Sequence, residues 1–271
     1  MRQIYLLKFG GNALSGKDDL RRLSREVAEL VKDGTEIVLV HGGGPEISAE
    51  MEKRGFKPVK IAGVRITDEQ GLAVAEEVLK RINGDVVDCL EEAGVNAVGM
   101  PGYFCSECRR KAPYHGPDDT GKQVTVDLGL VGEVVKVDTQ TVLDMLNEDI
   151  VPVIYPIGAE GTQHLNVNAD TMAAGLAAGL KCKEMIAITD VPGILRDVHD
   201  QSSKIDQVTL GQLDDLIATG IVSGGMVPKV EACRQAILAG VGAVRMVNGK
   251  DPNNIVTDVM RGVPHGTLIV R

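Results

Sequence analysis

The sequence predicts an α/β fold: a three-layer sandwich with a mostly parallel central sheet and helices on both faces. Three observations predict it. Short apolar runs of strand length alternate with amphipathic stretches of helix length along the whole chain. Three of the apolar runs end in glycine-containing turns, "LLKFGGNAL", "VLVHGGGPE" and "AITDVPGIL". A hydrophobic content of 44% in 271 residues is ample for the core of one large or two modest domains.

Residues 4–9 read as a buried strand. The following "SGKDDLRRLSREVAELVKDG" sets Leu20, Leu23, Val27, Leu30 and Val31 at helical spacing, and Gly34 can stop that helix. Residues 36–40 form a second apolar strand, and a helix starts near Pro45, a residue suited to a first turn. The stretch from Thr67 to Gly94 reads as one long helix, with Thr67 and Gln70 at capping-box spacing. "VNAVGM" is the next strand, 101–121 an irregular surface excursion, and "KQVTVDLGLVGEVVKV" a hairpin. A helix over "TQTVLDMLNEDI" and a strand over "VPVIYPIG" complete the first half. The second half alternates again: helix 168–180, strand 184–189, helices 210–219 and 228–239, strand 243–247. A soft boundary near Gly161 separates residues 1–160 from 161–271, and the halves are expected to share one sheet.

Composition removes several function classes. A net charge of −9 argues against non-specific nucleic-acid binding, and 3% aromatics with no Trp argues against base stacking. No apolar run reaches the roughly 18 residues of a membrane span. "MRQIYLLKFGG" reads as a first strand and not as a signal peptide. Five scattered cysteines fit thiols in a reducing cytoplasm better than a disulfide framework.

In open α/β sheets ligands bind beyond the carboxyl ends of the strands. Glycine backbone there can offer N–H groups to an anion, aided by the next helix's dipole. One such loop is no more than a tight turn; three favour an anion site. Lys8, beside Gly10 and Gly11, then becomes a candidate for a phosphate oxygen. Lys229 in "SGGMVPKVEA" sits at a helix start, where the dipole disfavours cations, which hints at a compensating anion. Asn166, Asn168 and Asp170 in "LNVNADT" would face one way if extended, or would cap the next helix. The segment 11–18, "GNALSGKD", nearly spells a Walker A loop, but Asp18 stands where a hydroxyl should meet the metal, so the match is a coincidence. "CSEC" at 105–108 has only His115 as a local third ligand; incidental thiols are the simpler reading than zinc.

Taken in order, "KFGG", "VHGGGPEI", "GVRITD", "DLGLVGEV", "NVNADT", "TDVPGIL", "SGGMVPKVEA" and "GTLIV" resemble the amino acid kinase family, and within it the branch that phosphorylates N-acetyl-L-glutamate. The resemblance runs from Lys8 nearly to the C-terminus and implies a carbamate kinase-like fold. It also implies a phosphotransferase of arginine biosynthesis that uses ATP, with Mg²⁺ held mainly by the nucleotide phosphates and no metal ligands from the chain. Lys8 and Lys229 would stabilise the transferring phosphoryl group, and Asp170 would orient both. Gly11, Gly43 and Gly44 would donate backbone N–H groups, Arg65 would hold the substrate α-carboxylate, and Asn166 its backbone-like atoms. Asp190, Val191, Pro192, Gly193, Ile194 and Leu195, with Ile221, Val222 and Ser223, would line the nucleotide site. Residues 1–160 would thus bind the acyl-amino acid and dimerise, and 161–271 would bind the nucleotide, in a cytoplasmic homodimer.

The chemistry agrees independently, because phosphoryl transfer needs positioning and charge neutralisation more than covalent help. A carboxylate acceptor is already ionised at neutral pH, so His41, beside the second glycine loop, is not needed as a base. The excursion at 101–121 departs from the family pattern and leaves the acyl-amino acid open. Arg109, Arg110 and Lys111 could meet an acidic carrier protein bearing aminoadipate or glutamate, or could be a solvated basic loop. A non-catalytic amino-acid sensor is a third reading, which the presence of Lys8, Asp170 and Lys229 disfavours. With Lys8 so near the start, the sequence lacks the N-terminal helix associated with arginine-inhibited hexamers, so arginine inhibition is not expected.

Overall fold

The computed structural model describes residues 3–271 apart from positions 12, 15, 119, 120 and 254. Asn12 and Ser15 of the Walker-like segment therefore lie outside the described residues. The elements run β1 (Ile4–Phe9), α1 (Lys17–Lys32), β2 (Glu36–His41), α2 (Gly44–Lys53), β3 (Lys60–Ile61), β4 (Val64–Arg65), α3 (Glu69–Glu92) and β5 (Ala97–Pro101). They continue β6 (Ser106–Arg110), β7 (Tyr114–Pro117), β8 (Gln123–Val126), β9 (Val131–Val137), α4 (Thr139–Asn147), β10 (Val151–Tyr155), β11 (Ile157–Glu160) and β12 (Gln163–Val167). The remainder is α5 (Ala169–Gly179), β13 (Glu184–Thr189), β14 (Gln207–Thr209), α6 (Leu210–Ala218), α7 (Met226–Leu238), β15 (Val244–Asn248), α8 (Ile255–Met260) and β16 (Thr267–Val270).

The main sheet has eight strands in the order β14-β16-β15-β13-β1-β2-β10-β5, parallel except for the β15/β16 pair. Strand β1 pairs with β2 on one side and β13 on the other, so the two halves do share one sheet. Neighbours Leu6 and Leu7 point to opposite faces and are both fully buried, as a sheet covered on both sides requires. Leu6, Val38, Val40 and Ile154 pack under α4, α5, α6 and α7. Leu7, Phe9, Ile37 and Leu39 pack under α1, α3 and α8. The Glu26 carboxylate of α1 is itself buried, and its Oε2 accepts from the backbone N–H groups of Val256 and Thr257 at the start of α8, 2.7 and 3.0 Å away.

A second sheet, β11-β12-β9-β6, stands beside the first and corrects three expectations. The excursion 101–121 is not irregular: it supplies β6 and β7. The expected hairpin within 122–137 does not form, because β8 pairs with β7 while β9 pairs with β6 and β12. The cysteines are not surface thiols. Cys105 is buried just before β6 and Cys108 within it, and burial pushes the Cys105 thiol up to about 12. His115 lies on the exposed β7–β8 hairpin, bonded to Thr125. The cap of α3 also shifts by one residue. Asp68 accepts from Gly71 N, whereas Thr67 is buried and its hydroxyl donates to the Arg65 carbonyl.

Candidate active site

The parallel pairing of β2, β1 and β13 brings their C-terminal ends side by side, with Lys8 registered between Val40 and Ala187. The turns that follow are built from close backbone approach. Gly42 N donates to the Phe9 carbonyl at 2.8 Å, and a Cβ on Gly43 would sit 2.7 Å from the Ile82 Cδ1 atom. Gly44 and Gly11 differ: nothing in the protein lies within 4 Å of where their Cβ atoms would be. Both line an open cleft of ≈ 310 Å³, so a side chain there would compete with a ligand. Gly11 also has a φ of 63°, which glycine adopts without strain.

The cleft collects Lys8, Gly11, Gly43, Gly44, Arg65, Asn166, Asp170 and Lys229, every residue expected for catalysis and acceptor binding. Lys8 Nζ lies 2.6 Å from Asp170 Oδ1. Asp170 does not hold the second lysine. Lys229 is ion-paired instead with Asp190, whose carboxyl its ammonium holds below the usual carboxylate range. The charge that balances Lys229 in the first turn of α7 is thus a side chain of the protein, where the sequence had hinted at a bound anion.

Arg65, on β4, is 7% exposed. Its Nη2 donates to the Gly44 carbonyl at 2.9 Å and to Ser48 Oγ at 2.7 Å, and no carboxylate pairs with it among the described residues. Burial lowers its pKa, although a guanidinium remains charged. A buried cation without a counter-charge is costly unless an anion joins it. Asn166 Nδ2 donates to Thr67 Oγ1 at 3.0 Å, which links it to the Arg65 backbone. Asn168 caps α5, accepting from Asp170 N and Thr171 N. Neither α2 nor α7 has a side-chain cap. In α7 the Met226 and Val227 N–H groups donate to the Ser223 and Gly224 carbonyls and Pro228 has none, so of the two helices only α2, at Gly44, can offer first-turn amides to an anion.

Sequence reasoning missed Lys60, which lines the same cleft directly across the β3–β4 ladder from Arg65. The signal was the "KIAGVR" pattern, in which a two-residue Ala-Gly turn registers Lys60 against Arg65. Four cations and one carboxylate therefore face the cleft: Lys8, Lys60, Arg65 and Lys229 against Asp170. His41 does not face it. It is fully buried, its Nδ1 3.0 Å from the Gly42 carbonyl and its Nε2 3.0 Å from Asn83 Nδ2. Asn83 can only donate through that nitrogen, so Nδ1 carries the proton of a neutral ring. Lys17 of the Walker-like segment pairs with Asp85 on α3 at 3.0 Å.

The residues expected around the nucleotide stand in different surroundings. Asp190 touches Lys229, while the side chains of Ile194 and Val222 are core. The Ile194 N–H is taken by Thr267 Oγ1, and Ile221 lines a separate cleft of ≈ 290 Å³ with Gln212 and Leu216.

Comparison with known proteins gives this arrangement a family. A curated protein from Methanococcus maripaludis named acetylglutamate kinase is 40% identical, the alignment covering 99% of this chain and 92% of that protein. A crystal structure from Streptococcus mutans superposes with a TM-score of 0.76 at 26% identity, covering 100% of this chain and 99% of that one. Carbamate kinase from Giardia superposes with a TM-score of 0.69 at 16% identity, over 100% and 99% of the two chains, a likeness of fold alone. The sequence model of the amino acid kinase family matches residues 3–248, and the chain belongs to that family.

Proposed function

We propose that this chain is an ATP-dependent kinase that phosphorylates the γ-carboxylate of N-acetyl-L-glutamate, giving N-acetylglutamyl 5-phosphate. The observation that carries the reading is Arg65, a buried guanidinium lacking a carboxylate partner, in the same cleft as Lys8 and Lys229. An acceptor with two carboxylates fits such a cleft: one is held by Arg65 and the other meets the lysines. The acceptor oxygen attacks the γ-phosphorus, the bond to the β–γ bridging oxygen breaks, and ADP leaves with the electron pair. Lys8 and Lys229 neutralise the negative charge that spreads over the transferring group. The N–H groups of Gly11 and Gly44 are the backbone donors. No proton has to move, which accords with a neutral, buried His41.

The nucleotide falls to the turn after β13 and the 221–223 segment, at the Lys229 side of the cleft. Asp170 and Asp190 are each engaged by a lysine, so Mg²⁺ would be carried by the nucleotide phosphates and would neutralise their charge. We infer a cytoplasmic homodimer. The named relative supports the reading, and 40% identity over nearly the whole chain favours it over a carrier-linked kinase or a sensor.

A coupled ADP-release assay with N-acetyl-L-glutamate, free glutamate and N-acetyl-aminoadipate side by side tests it. Turnover is expected with the first. Turnover with N-acetyl-aminoadipate alone would transfer the reading to the aminoadipate kinases. Binding without turnover would leave a sensor.

A further inference from the structure

The hairpin that carries Lys60 and Arg65 has two residues in each strand, and a two-stranded ribbon of that size is not stable alone. Its turn places Ala62 at φ 47° and Gly63 at φ 77°, and Ala62 gains nothing from that conformation. Something else must hold it. Ile61 is buried in a small cluster with Leu128 and Val131, and Tyr114, Val124 and Val126 of the β7–β8 hairpin pack against that cluster together with Val64 and Ile66. Among the described residues the β7–β8 hairpin contributes nothing to the lining of the acceptor cleft, yet it backs the strands that line it.

A second tie comes from the same segment. The strap 127–130 bonds to Thr67 on both sides: Thr67 N donates to the Leu128 carbonyl at 3.0 Å, and Leu130 N to the Thr67 carbonyl at 2.6 Å. The Asn166 N–H donates to the Leu130 carbonyl at 2.9 Å. One strap therefore sets the backbone beside both Arg65 and Asn166. Arg110 at the end of β6 clamps it, with Nε 2.7 Å from the Gly129 carbonyl and Nη2 3.2 Å from Asp127 Oδ1.

We propose that β7–β8 and Arg110 are the positioning device of the acceptor site: they fix the β3–β4 hairpin and so determine acceptor affinity without touching the acceptor. This deepens the kinase reading and rests on it for its kinetic arm only. A loosened hairpin should cost acceptor binding while the lysine end and the nucleotide are untouched.

Val126→Ala and Arg110→Gln test it in two arms. In the kinetic arm each variant should raise KM for N-acetyl-L-glutamate about fivefold to tenfold, with KM for ATP and kcat within about twofold of the parent. A merely structural loss would lower the active fraction and leave both KM values alone, which would overturn the proposal. In the second arm, amide hydrogen exchange is measured without substrate. Exchange over 59–67 should accelerate about tenfold or more while β1 and β13 stay protected. Unchanged exchange over 59–67 would overturn the proposal even if the chain proved to act on another acceptor. If the parent ignores N-acetyl-L-glutamate but the exchange shift appears, the kinase reading fails and the positioning role stands.

Discussion

The Lys229 ammonium is held by the carboxylate of Asp190, 39 positions earlier in the chain. The pair joins the first turn of α7 to the turn after β13, so the two cleft lysines, Lys8 and Lys229, answer to different carboxylates. A double-mutant cycle reads this directly. Lys229→Ala with Asp190→Asn should be non-additive in kcat/KM by more than about 0.5 kcal/mol, whereas Lys229→Ala with Asp170→Asn should be additive within about 0.5 kcal/mol. Strong coupling to Asp170 in place of Asp190 would refute the assignment.

Each lysine alone should matter to the chemistry. Lys8→Ala and Lys229→Ala are each expected to lower kcat by roughly 10²–10³, the usual effect of removing one donor to developing charge. Far-UV circular dichroism should be unchanged. Near-parental kcat in either variant would remove that lysine from the mechanism.

Arg65→Lys should separate the two substrates. Lysine keeps the charge but loses the planar fork now spent on Gly44 O and Ser48 Oγ. KM for the acceptor should rise at least about tenfold with KM for ATP nearly unchanged. The opposite pattern would place Arg65 at the nucleotide.

Glu26 is a test of stability without function. Its buried carboxylate caps α8 from a different helix, and Glu26→Ala would leave two N–H groups unpaired. A loss of about 2 kcal/mol is expected in chemical denaturation, with kcat per folded molecule unchanged. A change below about 0.5 kcal/mol would mean that solvent reaches those amides.

His41 should make stability pH-dependent. Burial pushes its imidazole down to about 4 from an ordinary 6.5. Below pH 6.5 the unfolded chain takes up a proton that the folded chain refuses. The contribution is therefore complete above about pH 6.5 and is lost as pH falls towards 4, on the order of 3 kcal/mol in all. Stability of His41→Asn measured across that window should slope less than the parent's. Equal slopes would show that other groups govern acid unfolding.

The main sheet was legible because its strands are apolar runs bounded by glycine, as at 184–189, and because α1 keeps its helical spacing. The cleft was legible where a residue type sits beside glycine backbone, as Lys8 does. Pairings between distant segments were not. Nothing local in "CSECRR" distinguishes a strand from a loop, since β6 exists only because β9 lies beside it. Lys229 has no sequence signal that selects Asp190 over Asp170; the choice is made by the position of the β13 turn. Thr67 has the residue type of a cap, but its hydroxyl is spent on the Arg65 carbonyl and Asn166, partners that no local pattern reveals.

The seam at β1 has a consequence for the nascent chain. Lys8 finds Val40 on one side early, but its other neighbour, Ala187, is synthesised far later. At about 5–20 residues per second, that edge of β1 stays open on the ribosome for roughly ten to forty seconds. An apolar parallel edge with unpaired N–H and C=O groups is a template for other chains during that interval. The strand that carries Lys8 is thus also one that synthesis leaves exposed to aggregation. Slowing translation before codon 190 should lower the soluble yield more than the same pause placed after it.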